Sequence, residues 1–424
     1  MKKQHVLISL FLAVGIFALV LNSCKKDEEP SALNLVTIVA GDIDLNGSTA
    51  PNNVPVSPTI TLTFSTDLKA STVTESTVTM VQDYDDAMIQ LTITVSGKTI
   101  TITPETALGN GTLYQLNLMA GILSAEDQAL TAFNRTFTTT GTFVPSGVIA
   151  HWSFENNAND VIGSYDPTAN GVVAVTYTDS RSTAAGKAAT FDGDASIIEV
   201  PNGDQLMNTN NFTLSFWVKA NSVGHVDANQ NPAGHFVIGL GTASGFQFEI
   251  PSDYSSCKLA ATYQVTGATQ GEDLWFNGSG ETKDNGGWQG WTFCKNLTQA
   301  GGVAGLLKDK WANVICTYNS STKVGTMYIN GEKMKAQDFN LYGNTHPIYT
   351  ATGLKYSGVA PDVVNELAFG FIQSRAGTKW DAEPWGGYEF PGANHFKGQL
   401  DDIRIFHKAL TQTEVTLMYN SEKP

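Results

Sequence analysis

A period of two constrains this chain more than any other feature. Thr59-Ile60-Thr61-Leu62-Thr63-Phe64 alternates polar and apolar side chains, as do Leu91-Thr92-Ile93-Thr94-Val95, Thr99-Ile100-Thr101-Ile102-Thr103 and Phe212-Thr213-Leu214-Ser215-Phe216-Trp217-Val218. Successive side chains of a strand point to opposite faces, so each run buries one face and wets the other. Ser96-Gly97-Lys98, set between two such runs, is a hairpin signature. Short runs recurring without helical segments predict an all-β chain built as sandwiches. Only 15 % of residues are charged, a balance that suits secreted β-proteins.

Residues 35–142 are expected to form the first domain, with Tyr114-Gln115-Leu116-Asn117-Leu118 and Arg135-Thr136-Phe137-Thr138-Thr139 completing its strands. Four stretches carry a family pattern: Val54-Pro55-Val56-Ser57-Pro58, Phe64-Ser65, Leu108-Gly109-Asn110-Gly111-Thr112-Leu113-Tyr114 and Phe137-Thr138-Thr139. Together they resemble the bacterial Ig-like domain of surface-layer and cell-wall proteins. That resemblance implies a β-sandwich spacer. Residues 141–147, with Pro145, have no long Gly/Ser run and read as a stiff linker.

Residues 148–424 form the larger domain. Phe191-Asp192-Gly193, Ser215-Phe216-Trp217-Val218, Tyr328-Ile329-Asn330-Gly331 and Leu400-Asp401-Asp402-Ile403-Arg404-Ile405-Phe406 occur in order. With Ala409-Leu410 and Glu414-Val415 they resemble the laminin-G-like, concanavalin A-like jelly roll. The fold hosts lectins, carbohydrate-binding modules, glycosidases and adhesion domains, so it does not fix function. Thr411, with Glu414 three residues on, is a capping box that starts a short helix.

In the resembled family the first and last strands are neighbours, and carboxylates there often hold Ca²⁺. The resemblance thus implies a structural calcium site using Asp160, backbone oxygens near Asn170, and Asp401 or Asp402. Calcium needs about six to eight oxygens. The alternative is that Asp160 caps a turn and one of the paired aspartates meets Arg404. Strand neighbours face opposite sides, so only one of Asp401 and Asp402 is expected to point inward.

Aromatic side chains gather in two Gly-rich stretches. One carries Trp275, Trp288 and Trp291; the other carries Trp380, Trp385 and Tyr388, with Arg375, Asp381 and Glu383 close by. Sugar rings need flat aromatics for their C–H faces and polar groups for their hydroxyls. These residues are the candidate carbohydrate-binding set. The competing reading is that the tryptophans pin long loops to the sandwich. A protein partner is the rival ligand, and a glycoside hydrolase or polysaccharide lyase is the second rival. The Glu-x-Asp-x-x-Glu strand of concanavalin A-like hydrolases is absent, so no catalytic residue is assigned. His225, Asp227 and His235 form a loose cluster expected to sit in a solvated loop.

At the N-terminus, Met1-Lys2-Lys3-Gln4 precedes an apolar run, Val6 to Leu21. The run is about 16 residues, short of the roughly 20 that span a bilayer. A basic start, an apolar core and a small residue before the cut mark an export signal in residues 1–23. Leu21-Asn22-Ser23-Cys24 resembles the lipobox of bacterial lipoproteins, which implies acylation of Cys24. Residues 24–34 then form a tether of about 33 Å at most. Asp27-Glu28-Glu29 resembles the surface-export signal of some outer-membrane lipoproteins. The expected location is therefore the cell surface, anchored by lipid. A net charge of −15 disfavours nucleic acid and anionic lipid as partners. Beyond Cys24, the cysteines Cys257, Cys294 and Cys316 permit at most one bridge.

Overall fold

The alternating runs before residue 142 become the facing sheets of a sandwich. A computed structural model describes residues 31–47 and 49–424. Cys24, the export signal and the acidic run after it lie outside the described residues. The chain divides between Gly141 and Thr142 into two units. In the first, a sheet runs Ile43–Asp44, Leu35–Ala40, Ile60–Phe64, Thr99–Pro104, Leu91–Ser96, and a second runs Met88–Ile89, Val78–Gln82, Leu113–Leu118, Phe133–Thr138. Ile38, Leu62, Ile100, Met80, Leu116 and Phe137 are the apolar half of the alternation and fill the core between them. The expected hairpin is present: Ser96 pairs with Thr99 across Gly97, whose φ of +56° glycine adopts freely.

The second unit is a jelly-roll sandwich. Its first sheet runs Thr176–Asp179, Lys187–Asp192, Lys397–Phe406, Phe212–Ala220, Ala312–Asn319, Val324–Ile329, Glu332–Asp338, Trp291–Cys294. The opening strand Val148–Trp152 also pairs with Lys397–Phe406, so first and last strands are neighbours. The second sheet runs Val172–Val173, Ile197–Val200, Leu367–Phe369, His235–Gly239, Phe246–Ile250, Cys257–Val265, Ala268–Phe276. Phe216 and Phe248 meet edge-to-face between the sheets, with centroids 5.0 Å apart. Cys257, Cys294 and Cys316 are buried free thiols.

Two local features position the groups that matter below. Between Ser215 and Trp217 the register with Lys397–Phe406 shifts, and Asp402 has φ +46°. This is a β-bulge, which turns Asp402 out of simple alternation. Gly239 lets a long loop cross close above its strand: a Cβ there would lie 2.0 Å from the Ile372 carbonyl oxygen. That loop carries Trp380, Trp385 and Tyr388. Among the described residues no helix is long and apolar enough to cross a membrane.

Candidate functional site

A broad hollow in the second unit lies on the outer face of its second sheet. Phe246-Gln247-Phe248-Glu249-Ile250 alternates, and the apolar members enter the core. Gln247 and Glu249 therefore point away from it. On the next strands Glu249 pairs with Lys258 and Lys258 with Trp275, while Gln247 pairs with Ala260 and Ala260 with Asp273. The small Ala260 leaves space between longer neighbours. The result is a cleft of 1070 Å³, floored by Gln247, Glu249, Lys258 and Asp273 and walled on one side by Trp380 and Trp385. An adjoining hollow of 270 Å³ shares Glu249, Lys258 and Asp273 and adds Trp275.

Lys258 ties the floor together. Its Nζ lies 3.2 Å from Glu249 Oε1 and 3.0 Å from Asp273 Oδ2. Partial burial works against its charge, but the two carboxylates more than offset this and raise its pKa. Gln247 Nε2 donates to Glu249 Oε2 at 2.6 Å, while Gln247 Oε1 is buried without a hydrogen-bond partner. Glu272, also at the cleft, accepts from Tyr342 and Gln337. Burial raises its pKa despite those bonds.

The aromatic candidates separate into three groups. Trp380 and Trp385 pack at 5.0 Å and both line the cleft; Trp385 also meets Phe236 edge-on. Trp275 and Trp291 pack at 5.7 Å, and the Lys335 ammonium sits 3.2 Å from the Trp291 ring centroid. Trp275 and Trp291 were expected in loops, yet they lie on the strands Ala268–Phe276 and Trp291–Cys294. Trp288 is 56 % exposed, edge-on to Tyr342 and away from the cleft lining.

The remaining candidates hold the loop in place. Arg375 donates to Glu199 and, at 2.8 Å, to the Asn170 carbonyl. Tyr388 Oη donates to the Ala195 carbonyl and packs on Phe371. Asp381 and Glu383 flank the tryptophans in this loop but do not line the cleft.

The aspartates expected at calcium have other partners. Asp160 closes a turn, accepting backbone N–H bonds from His151, Ile162, Gly163 and Tyr165. The bulge brings both Asp401 and Asp402 to one place, where only one was expected. Arg181 donates to Asp401 at 2.5 Å and to Asp402 at 2.7 Å, and Arg404 donates to Asp402 at 2.9 Å. The Asn170 carbonyl serves Arg375. These oxygens face N–H donors and guanidinium groups, so the set as arranged does not fit a calcium ion. Among the described residues no group of three or more His, Cys, Asp or Glu is disposed to hold a metal.

The histidine cluster is also placed differently. His225 and His235 are buried, with rings stacked at 4.4 Å, and His235 bonds the Tyr254 hydroxyl at 2.6 Å. Burial lowers their pKa values to about 4 and about 3. The loop is not solvated at this point because Tyr254, Phe396 and Lys397 close over it.

Fold and cleft define a nearly all-β chain whose second unit is a jelly-roll sandwich with an open cleft on one face. Residues 44–139 match the sequence profile of the bacterial Ig-like domain, and residues 192–362 that of the concanavalin A-like lectin/glucanases superfamily. Among curated proteins none matches the chain. Solved structures of similar fold include the binding domain of Paraclostridial Mosquitocidal Protein 1, at 16 % identity and TM-score 0.42, covering 65 % of this chain and 52 % of that one. The botulinum neurotoxin serotype D binding domain aligns at 18 % identity and TM-score 0.39, covering 65 % and 50 %. Domain 4 of AbnA, a GH43 extracellular arabinanase from Geobacillus stearothermophilus, was solved with arabinotriose; it aligns at 20 % and 0.35, covering 64 % and 97 %. This chain spans about half the length of the first two.

Proposed function

We propose that this chain is a lipid-anchored surface protein that binds glycan in the cleft of its jelly-roll unit, with the Ig-like unit as spacer. The observation that carries the reading is the Trp380–Trp385 pair standing beside a floor of hydrogen-bonding side chains. Aromatic walls with a few placed polar groups are what a sugar site requires. Trp275 extends the aromatic surface along the floor, which suits a polymer held at several points. The Cys24 anchor and outer-membrane display rest on the sequence pattern, and labelling with radioactive palmitate, abolished in Cys24→Ala, would support them.

The glycan reading is tested on a polysaccharide array and by affinity gels, with calcium and with a chelator. Trp385→Ala is expected to weaken retardation about tenfold, roughly 1.4 kcal/mol. No retardation by any polysaccharide under either condition would sink the proposal.

One observation favours a second reading. Glu249 and Asp273 meet the same Lys258 ammonium in a cleft, and paired carboxylates are the machinery of glycoside hydrolysis. Release of reducing ends from a polysaccharide panel, lost in Glu249→Gln, would establish it; no release leaves a binding protein.

A further inference from the structure

The charged groups around the cleft are unequal in number and in availability. Asp227, Glu249, Glu272 and Asp273 line it, against Lys258 as the one lysine or arginine of the lining. His235 also lines it, buried and held neutral. Asp227 is locked by backbone N–H bonds from Asn229 and Asn231, and these donors lower its pKa. Lys379 lies over the Trp380 ring, 5.2 Å from its centroid, and is not part of the lining.

Availability matters more than the count. An ammonium has three donors, and Lys258 directs itself at two protein carboxylates. The Gln247 amide N–H is likewise turned onto Glu249. Two of the three ammonium N–H donors and one of the two Gln247 amide N–H donors are thus taken by the protein. Among the charged and amide groups of the floor, acceptors outnumber the donors left for a ligand: the free lone pairs of Glu249 and Asp273, and Gln247 Oε1. That oxygen belongs to a side chain only 8 % exposed and has no partner. A buried acceptor left unmet is costly, so it marks a place where a ligand donor belongs.

We propose, resting on the glycan reading above, that the cleft selects uncharged, hydroxyl-rich polysaccharides and rejects polyuronates and sulfated glycans. Neutral sugars bring hydroxyl donors to these acceptors. An anionic sugar brings further acceptors and a like charge, with no free cation to meet it.

The test uses one backbone in two charge states. Highly methyl-esterified polygalacturonate and the same polymer after de-esterification are compared by affinity gel, beside neutral β-glucan, xylan, mannan and arabinan. The full chain is expected to be retarded by at least one neutral polymer and at least tenfold more weakly by de-esterified polygalacturonate, most of all at low salt. In Glu249→Gln/Asp273→Asn, Lys258 is freed, and affinity for the de-esterified polymer should rise at least tenfold and fall again with salt. Asp273→Asn alone, on a side chain 48 % exposed, gives a milder variant if the double one melts early. Equal or stronger retardation by the polyuronate in the unmodified protein overturns the selectivity and leaves glycan binding intact. No gain in a folded variant also overturns it. If no polymer of any charge retards the protein, the glycan reading itself has failed.

Discussion

At the residue scale the clearest case is the aspartate pair. Asp401 is buried and Asp402 partly buried beside Arg181, and their environments differ. Burial and the neighbouring Asp402 charge raise Asp401 to about 8, against the pull of Ser180 and Arg181. Asp402 is driven well below its usual range: burial opposes its charge, but Arg404, His151 and Arg181 outweigh it. Asp401 is thus the weaker acid of the two. Asp401→Asn weakens one bond to Arg181, which keeps Asp402, and should be the cheaper of the two changes. Asp402→Asn leaves Arg404 short of a charge and should cost about 3 kcal/mol or more. For a unit this size that lowers Tm by roughly 6 °C or more, and thermal melts of the two variants check the order. His225 gives a pH prediction of opposite sense to Asp401. Its folded pKa of about 4 lies below the ordinary histidine value of 6.5, so the unfolded chain takes up protons first. Its contribution is complete above pH 6.5 and is lost as pH falls toward 4, by roughly 3 kcal/mol at most. Asp401, raised to about 8, favours the fold as pH falls. Melts of the native chain against His225→Leu, from pH 7 to 4, separate the two: the stability difference should shift toward the variant as pH drops. Both ring nitrogens of His225 lack partners of good geometry, so the variant should lose little at pH 7. A constant difference across that range would remove His225 as the cause.

At the element scale the strands that were hardest to see are the ones that build the cleft. Phe212–Ala220 and Lys397–Phe406 stood out in the sequence because their apolar positions repeat without interruption. Ala268–Phe276 reads Ala-Thr-Gln-Gly-Glu-Asp-Leu-Trp-Phe. Its outer half is polar on both faces near the sheet edge, so nothing in it alternates until Leu274. The result was that Trp275 was expected in a loop, and Glu249, Lys258 and Asp273 went unnoticed. The alternation of Phe246-Gln247-Phe248-Glu249-Ile250 was a usable signal for the floor. The C-terminal helix was legible from its capping box, which is present: Thr411 accepts from the Glu414 N–H and Glu414 from the Thr411 N–H. Its docking was not. The helix Gln412–Glu422 buries Val415 and Met418 but also Glu414 and Glu422. Glu422 sits at the helix C-terminus, where the dipole disfavours an acid. It is held there by Arg404 at 2.7 Å and by the Trp217 indole N–H at 2.8 Å, while Arg181 stacks over Trp217 at 4.5 Å. Glu422→Ala should therefore cost about 3 kcal/mol, because it removes one of the two carboxylates on the buried Arg404 and the acceptor of the Trp217 indole N–H. Urea unfolding gives the number; a loss under 1 kcal/mol would mean the apolar face alone docks the helix.

At the scale of the whole chain, the division into two all-β units was readable because each unit carries its own set of alternating runs and its own turn signals. The sequence resemblance also reached one long-range pairing, that of Val148–Trp152 with Lys397–Phe406. It did not reach the long loop over Gly239. That loop is placed by a backbone crossing and by the Arg375–Glu199 ion pair, contacts between residues about 175 positions apart that no local pattern encodes. The same reasoning predicts how far the units depend on each other. Each has a separate apolar core, Ile38 to Phe137 in the first and Ala150 to Ile405 in the second. All the cleft residues belong to the second. A chain of residues 142–424 should therefore unfold in a single cooperative transition and bind polysaccharide with an affinity within about threefold of the longer protein, well under the tenfold that 1.4 kcal/mol represents. Affinity gels on the two, at equal salt, measure this. A tenfold loss in the shorter chain, with its melting unchanged, would show that the first unit contributes to binding and is more than a spacer.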